Sequence, residues 1–291
     1  MAIDRLQEKI RKCKNPLAVD FGMLPEHIPA PIGENSEGFL QAYRQYVSEL
    51  LTGLKGIVPA VRFDMGALAL YGAAGMETLE QLLAQAKTQG YYVFLEGAEA
   101  LSAQSAQRAA AILFSADSLW QFDGLILAAY IGSDSITPYV SMMKETDKDL
   151  FLVARTSNRS AAEMQDLLTG SRLAHVAKAD VVNRFARQHM GRSNYSRVAL
   201  VAAASSANSL RTLRATYKDL FMLLDGCDYP NANVKNCSNA FDKLGHGAVA
   251  CAGLSVSAAW QEETDQTDYI GAAVRAVDRF KKNIARYVTV L

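Results

Sequence analysis

The chain alternates between short, almost entirely apolar segments and longer segments in which apolar residues recur at helical spacing. Strands buried on both faces of a parallel sheet have such continuous apolar sequences. Eight segments fit this pattern and predict strands: Leu17–Phe21, Ile57–Phe63, Tyr91–Leu95, Leu125–Ala129, Leu150–Ala154, Val198–Ala202, Phe221–Leu224 and Ala248–Cys251.

The segments between these strands are amphipathic and predict helices. They are Glu37–Leu54, Met76–Gln89, Ala103–Phe114, Ser160–Leu168, Ala174–Gln188, Ser209–Tyr217, Asn236–Leu244 and Thr267–Val288. Eight strand–helix units predict an α/β fold, a single (β/α)₈ TIM barrel in one domain over residues 1–291. A doubly wound open sheet is the alternative, which the absence of a GxGxxG motif after the first strand disfavours.

Composition and charge narrow the class of protein. Lys and Arg number 30, as do Asp and Glu, so no basic excess favours nucleic acid or an anionic membrane as a partner. No apolar segment has the length of a signal peptide core or a membrane span, which indicates a cytoplasmic protein. The cysteines Cys13, Cys227, Cys237 and Cys251 lack metal-binding spacing and are interpreted as reduced thiols. No cofactor is expected.

Polar residues at the carboxyl ends of the strands are the candidates for chemistry, because barrel enzymes place their active sites there. The first three strands are followed by or end in Asp20, Arg62, Asp64 and Glu96. Three acidic residues could converge on a hard cation, although no metal site is our main expectation. Asp64 could instead pair with Arg62 or Arg155.

The loops after the seventh and eighth strands commonly bind a phosphate group in such barrels. Here they contain Asp225, Asp228 and Leu254 and no arginine, and Lys235 is the only nearby cation. Carboxylates beside a phosphate dianion would repel it, so this mouth favours a neutral or cationic ligand. Lys235 could equally be a solvated helix residue.

Several segments together resemble the long bacterial subfamily of orotidine 5′-monophosphate decarboxylases. Tyr130–Tyr139 is close to the family segment YxGxDSxxPF, and Leu152–Ala161 is close to its TSNPSA segment. Asn15–Val19, Ala60–Arg62 and Tyr71–Met76 also match, so the resemblance covers about residues 1–260. It implies a barrel that pairs as a homodimer.

The family catalyses decarboxylation with a lysine on the second strand and a D-x-K-x-x-D motif after the third. Arg62 stands at the position of the first lysine, and Glu96 at the first aspartate. The proton-donating lysine is replaced by Ala98, and the aspartate that reaches the partner's site by Leu101. Arg62 and Glu96 are therefore predicted remnants of the catalytic network, and a buried structural ion pair is the alternative.

The phosphate-binding end of the family site is also changed. The glutamine of the family's PGxGAQGG segment falls on Pro230, and its phosphate-binding arginine falls on Leu254. Losses at both ends of the ligand predict a changed or absent substrate.

The resemblance predicts further ligand-binding residues. Ser157 and Asn158 match the segment that contacts the pyrimidine, and the alternative is that they cap the helix that begins near Ala161. Asp134 is a candidate ligand contact or the start of a helix over Ile136–Met143. Asp20 and Asp64 complete the predicted set.

Three functions follow from these observations. The first is a catalytically inactive relative with a binding or assembly role. The second is a divergent but active decarboxylase that uses Glu99 or Arg62, although an arginine is a poor proton donor. The third is a different enzyme on the same barrel, acting on a neutral or cationic small molecule. In a family-like homodimer, Leu101 would lie at the interface.

Overall fold

A closed barrel of eight parallel strands forms the centre of the molecule. The computed structural model describes residues 1–98, 100–143, 145–229 and 232–290. The barrel strands are Leu17–Asp20, Ala60–Asp64, Tyr92–Glu96, Gly124–Leu127, Asp149–Val153, Val198–Ala203, Met222–Asp225 and Ala248–Ala252. Each pairs with the next along the chain, and the eighth pairs with the first. The predicted (β/α)₈ fold is confirmed.

Helices surround the barrel and cover its amino-terminal end. In the described residues the α-helices are Ala2–Cys13, Ala30–Gly33, Phe39–Gly53, Met65–Ala69, Gly72–Thr88, Ala103–Leu113, Thr137–Met142, Ala162–Gln165, Ala174–Ala186, Ala207–Thr216, Val234–Cys237, Leu254–Ser257 and Tyr269–Ile284. Within that part of the chain, no helix is both long enough and apolar enough to cross a bilayer.

Two of the predicted helices are wrong in extent. In place of Ser160–Leu168, the chain forms the single turn Ala162–Gln165 and then a hairpin in which Leu168–Thr169 pairs with Arg172–Leu173. Gly170 makes this hairpin turn with φ +67°, a conformation that glycine adopts without steric cost.

The predicted helix Asn236–Leu244 also ends early. Helix Val234–Cys237 passes into a single 3₁₀ turn, and Phe241 is extended. The Asp242 carboxylate accepts hydrogen bonds from the backbone N–H groups of Leu244 and His246, which holds this segment as a loop.

The barrel interior is filled by aromatic side chains that point inward from different strands. The rings of Phe94 and Phe151 lie 4.9 Å apart in a T-shaped arrangement, and Phe151 contacts Phe221 in the same way at 6.3 Å. Tyr92 packs on Phe94 with a centroid distance of 4.8 Å. The apolar face of helix Ala2–Cys13 closes this inner core from below. The lower half of the barrel is therefore solid, and any ligand must enter at the carboxyl ends of the strands.

A buried ion pair lies at the closed end. Arg197 Nε donates to Asp149 Oδ1 at 3.1 Å, and its other nitrogens donate to the carbonyl oxygens of Met143, Thr146 and Lys148. Tyr92 donates its hydroxyl to Asp149 Oδ2 at 3.0 Å. Each charged atom of this pair has a partner, as burial requires.

Candidate functional site

A cavity of about 690 Å³ opens at the carboxyl ends of the strands. Its lining comes mainly from the ends of the first, second, third, fifth, seventh and eighth strands and from the loops that follow them. The lining residues are Asp20, Gly22, Arg62, Glu96, Thr156, Ser157, Asn158, Asp225, Gly226, Asp228, Tyr229, Cys251, Gly253, Leu254, Ser255, Ala258, Gln261 and Glu262. Arg62 is the single cationic residue in this lining, against five carboxylates.

The Arg62 guanidinium forms the floor of the cavity. Its Nε donates to Glu96 Oε2 at 2.5 Å, and a terminal nitrogen donates to Asp225 Oδ1 at 2.7 Å. Because the third and seventh strands are four places apart in the ring of eight, this arginine spans the barrel axis. Asp20, opposite Arg62 on the neighbouring strand, has a carboxylate oxygen 4.0 Å away.

Burial and charge act in opposite directions on these groups. Burial lowers the pKa of Arg62, but the surrounding Asp20, Glu96 and Asp225 carboxylates outweigh it and raise that pKa well above the ordinary value. Burial also raises the pKa of Asp20 and of Glu96, and the attraction of Arg62 offsets only part of the increase. Arg62 is therefore a permanent cation held among three carboxylates.

Asp64 and Asp134, two predicted ligand-binding residues, do not line this cavity. The Asp64 carboxylate accepts a hydrogen bond from Ala67 N at 3.0 Å and caps helix Met65–Ala69, so it pairs with neither Arg62 nor Arg155. Asp134 lies in the 3₁₀ turn Ser133–Ser135, beside a surface groove between helices Ala103–Leu113 and Thr137–Met142. The alternative that placed Asp134 at the start of the following helix fits this position better.

The metal-site alternative fails for a physical reason. Asp20 and Glu96 surround the Arg62 guanidinium, while Asp64 caps a helix. In residues 1–98, 100–143, 145–229 and 232–290, no group of three His, Cys, Asp or Glu side chains could hold a metal ion. A guanidinium already occupies the centre at which such a cation would lie.

The segment Thr156–Asn158, which includes the predicted ligand-binding residues Ser157 and Asn158, lines the cavity wall. Ser157 Oγ donates to the carbonyl oxygen of Asp225 at 2.5 Å, which joins the fifth and seventh strands at the rim. Asn158 exchanges hydrogen bonds with Thr156 and Ser160, and its side chain makes no capping contact. Asn158 holds the N-cap position of the 3₁₀ turn Arg159–Ala161 without a side-chain capping bond, so the helix-capping alternative fits Asn158 in position only and does not fit Ser157.

The Thr156–Asn158 segment is supported from behind by a chain of buried polar contacts. Gln165 Oε1 accepts from Thr156 N at 2.8 Å, and Arg155 forms a bidentate pair with Asp166. His175 continues the chain, with Nδ1 3.1 Å from Asp166 and Nε2 3.1 Å from Ser209 Oγ. These contacts give the wall a fixed position.

Ala98 and Leu101, the residues that the resemblance predicts at the positions of the family's proton donor and in-trans aspartate, lie outside the cavity lining. Ala98 packs half-buried against the outer core, and Leu101 is 90% exposed. Glu99, considered as a substitute catalytic group, and Pro230 lie outside the described residues. Lys235 is exposed on helix Val234–Cys237 and does not line the cavity, which fits a solvated helix residue.

Asp225 and Asp228, predicted at the mouth of the barrel but not among the ligand-binding residues, both line the cavity, and so does Cys251, which was predicted only as a reduced thiol. Asp225 ends the seventh strand just as Asp20 ends the first, so the argument from strand ends applies equally to both. Cys251 points inward from the eighth strand beneath Arg62. The four cysteines are free thiols, and Sγ of Cys227 lies 3.6 Å from Sγ of Cys237.

Together the closed barrel and the polar cavity at its carboxyl end define the class: an α/β barrel with a polar cavity in the position where such barrels bind ligands. No family model matches the chain. It is, however, 25% identical over 233 residues to the orotidine 5′-phosphate decarboxylase of Rhodopirellula baltica, covering 77% of each chain. It is also 25% identical over 286 residues to that of Clostridium kluyveri, covering 94% of each.

Solved structures of such decarboxylases have the same fold as this chain. The Leishmania donovani OMP decarboxylase superposes with a TM-score of 0.71 at 19% identity, covering 97% of this chain and 99% of that one. The Plasmodium berghei orotidine 5′-monophosphate decarboxylase gives 0.75 at 11% identity, covering 97% and 98%. The chain is an orotidine 5′-phosphate decarboxylase-like barrel, and the predicted resemblance to that family is confirmed.

Proposed function

We propose that this barrel does not decarboxylate orotidine 5′-monophosphate and that its cavity binds a small polar ligand without a phosphate group. The observation that carries the proposal is the state of Arg62. Its guanidinium donates to Glu96 and to Asp225 on opposite sides of the barrel, and its charge is shared with both carboxylates. It therefore offers neither a free positive charge nor a transferable proton to a substrate.

Decarboxylation of the family's substrate leaves a carbanion that must receive a proton from a positioned acid. A positioned general acid or base typically contributes about 10²–10⁴ in rate. The position that holds the donor in the family is Ala98, whose side chain cannot titrate. The raised pKa of Arg62 moves this residue further from a role as donor. These features support loss of the reaction.

Electrostatics oppose a phosphorylated substrate as well. Asp20, Glu96 and Asp225 share one guanidinium, and Asp228 and Glu262 add two further carboxylates to the lining. Two like unit charges 4 Å apart repel by about 4 kcal/mol at an effective dielectric constant of about 20. A phosphate dianion placed among these groups would be repelled by several carboxylates, whereas an uncharged or cationic ligand would not.

The test is a direct assay of orotidine 5′-monophosphate turnover, followed by the loss of orotate absorbance at high protein concentration. We expect no turnover, with the Rhodopirellula baltica relative as the positive control. Turnover that disappears in Arg62→Met would show instead a divergent but active decarboxylase. Growth of a strain lacking the decarboxylase, when supplied with this gene, would be a second contradiction.

The ligand class is tested separately by thermal stabilisation with uncharged nucleosides, sugars and small amines. We expect stabilisation by a member of these classes and none by nucleoside monophosphates. The variant Asn158→Ala tests whether the ligand binds in this cavity, because it removes a lining side chain without changing the charge of the cavity. The stabilising ligand should lose its effect in this variant.

We further propose that the chain forms a homodimer through the face that carries Leu101. A leucine that is 90% exposed adds apolar area that water does not favour. Light scattering should give a dimer for the wild type and a monomer for Leu101→Asp. Leu119→Asp is the control, because Leu119 is 65% exposed but lies in the loop before the fourth strand, at the opposite end of the barrel. A monomeric wild type would contradict the proposal.

A further inference from the structure

The Asp228 carboxylate joins two cavity loops through backbone hydrogen bonds. Asp228 follows the seventh strand, and its Oδ2 accepts from Gly253 N at 2.8 Å and from Ser255 N at 3.3 Å. Gly253 follows the eighth strand and Ser255 lies in the single-turn helix Leu254–Ser257, and all three residues line the cavity. A side-chain anion thus occupies two backbone N–H groups at the cavity.

Asp228 differs from Asp20, Glu96 and Asp225 in the groups that compensate its negative charge. Asp20, Glu96 and Asp225 surround Arg62, so their charges are partly neutralised. The partners that the structure shows for Asp228 in the described residues are two amides and no cation. Backbone N–H groups stabilise a carboxylate but leave its net charge facing the cavity.

We propose that Asp228 is the residue that restricts this cavity to ligands without a phosphate group, by acting as a built-in anion between the two loops. This inference deepens the proposed function and rests on it. A carboxylate oxygen and a phosphate oxygen accept hydrogen bonds from the same donors, so only one of them can occupy these amides. A phosphate that approached the two loops would have to displace Asp228 and would meet its charge.

The experiment measures the binding of inorganic phosphate by titration calorimetry in the wild type and in three variants. Asp228→Ala frees both amides and removes the charge. Asp228→Asn keeps an oxygen that can accept from the amides and removes only the charge, so it preserves the loop contact if the alanine variant fails to fold. Glu262→Gln is the matched control, because it removes one exposed carboxylate of the same lining that is not bonded to these amides.

We expect no saturable phosphate binding in the wild type or in Glu262→Gln. Asp228→Ala should bind phosphate at least about tenfold more tightly than the detection limit that the wild-type titration sets, which corresponds to about 1.4 kcal/mol. Asp228→Asn should show a smaller gain. The idea is overturned if the wild type binds phosphate as well as Asp228→Ala, if neither Asp228 variant gains binding, or if Glu262→Gln gains as much as Asp228→Asn.

Failure here is separable from failure of the proposed function. If the Asp228 variants gain no phosphate binding while orotidine 5′-monophosphate is still not turned over, the specificity role of Asp228 is wrong and the proposed function stands. If the wild type decarboxylates that substrate, the proposed function is wrong whatever phosphate does in the variants.

Discussion

The two ends of the barrel each bury an arginine, and they use it differently. At the closed end, Arg197 faces one carboxylate, Asp149, and three backbone carbonyls. At the open end, Arg62 faces three carboxylates beneath a cavity of about 690 Å³. One arrangement completes a core, while the other leaves negative charge in excess beside solvent. A buried arginine is by itself evidence for neither stability nor function, and its surroundings decide between them.

The largest effect is expected at the closed end. Arg197→Met would leave Asp149, whose side chain is fully buried, without its counter-charge. Breaking one partner of such a pair costs about 3–5 kcal/mol. Chemical denaturation should show this loss most fully above pH 7. The double variant Arg197→Met, Asp149→Asn is the control and should recover part of it, because no charge is then stranded.

The pH dependence of the Arg197→Met variant sharpens the same point. Burial raises the pKa of Asp149 to about 7 even with Arg197 present. A carboxyl group whose pKa is higher in the folded than in the unfolded state stabilises the fold at low pH. This contribution to the free energy of unfolding is lost as the pH rises through the pKa of the folded state. Removing Arg197 raises that pKa further. The loss in the free energy of unfolding, relative to the wild type, should therefore be greatest above pH 7 and smaller at pH 5. A deficit independent of pH would contradict a charge effect.

A smaller effect is expected at the open end. Arg62→Met would leave Asp20, Glu96 and Asp225 without their shared cation, but the adjacent cavity admits water, so we expect a loss of about 2 kcal/mol, below the range for fully buried pairs. Burial already raises the pKa of Asp20 and Glu96, so these groups lose their protons as the pH rises from acid to neutral. The loss in the free energy of unfolding caused by Arg62→Met should grow over the same range.

Arg62→Lys is the control for this variant, since it keeps the charge but not the two-sided reach of the guanidinium. Denaturation curves at several pH values should place it between the wild type and Arg62→Met. A loss in Arg62→Met as large as that in Arg197→Met would mean that the two ends do not differ as argued.

The barrel could be predicted from the sequence because its strands are short apolar segments at regular intervals, and the strand ends placed Asp20, Arg62 and Glu96 in one site. The contacts across the ring could not be predicted, because they depend on closure: Asp225 meets Arg62 only when the eighth strand pairs with the first and brings the seventh strand within reach of the second. Asp134 was misplaced for a related reason, since the turn after the fourth strand carries it outward to the helices.

The smallest effects come from one added methyl group at each end. A Cβ on Gly124, at the start of the fourth strand, would lie 2.8 Å from both the Phe151 ring and the Tyr92 hydroxyl oxygen. A Cβ on Gly22, in the cavity lining, would have no neighbour closer than 3.6 Å. Overpacking a filled core costs at least about 1 kcal/mol, whereas changes at unstrained exposed sites stay within about 0.5 kcal/mol. Gly124→Ala should therefore lower the melting temperature clearly, and Gly22→Ala should leave it nearly unchanged. Equal melting temperatures for the two variants would show that the closed end is as adaptable as the open one, and the contrast between a packed and a ligand-accessible end would then rest on charge alone.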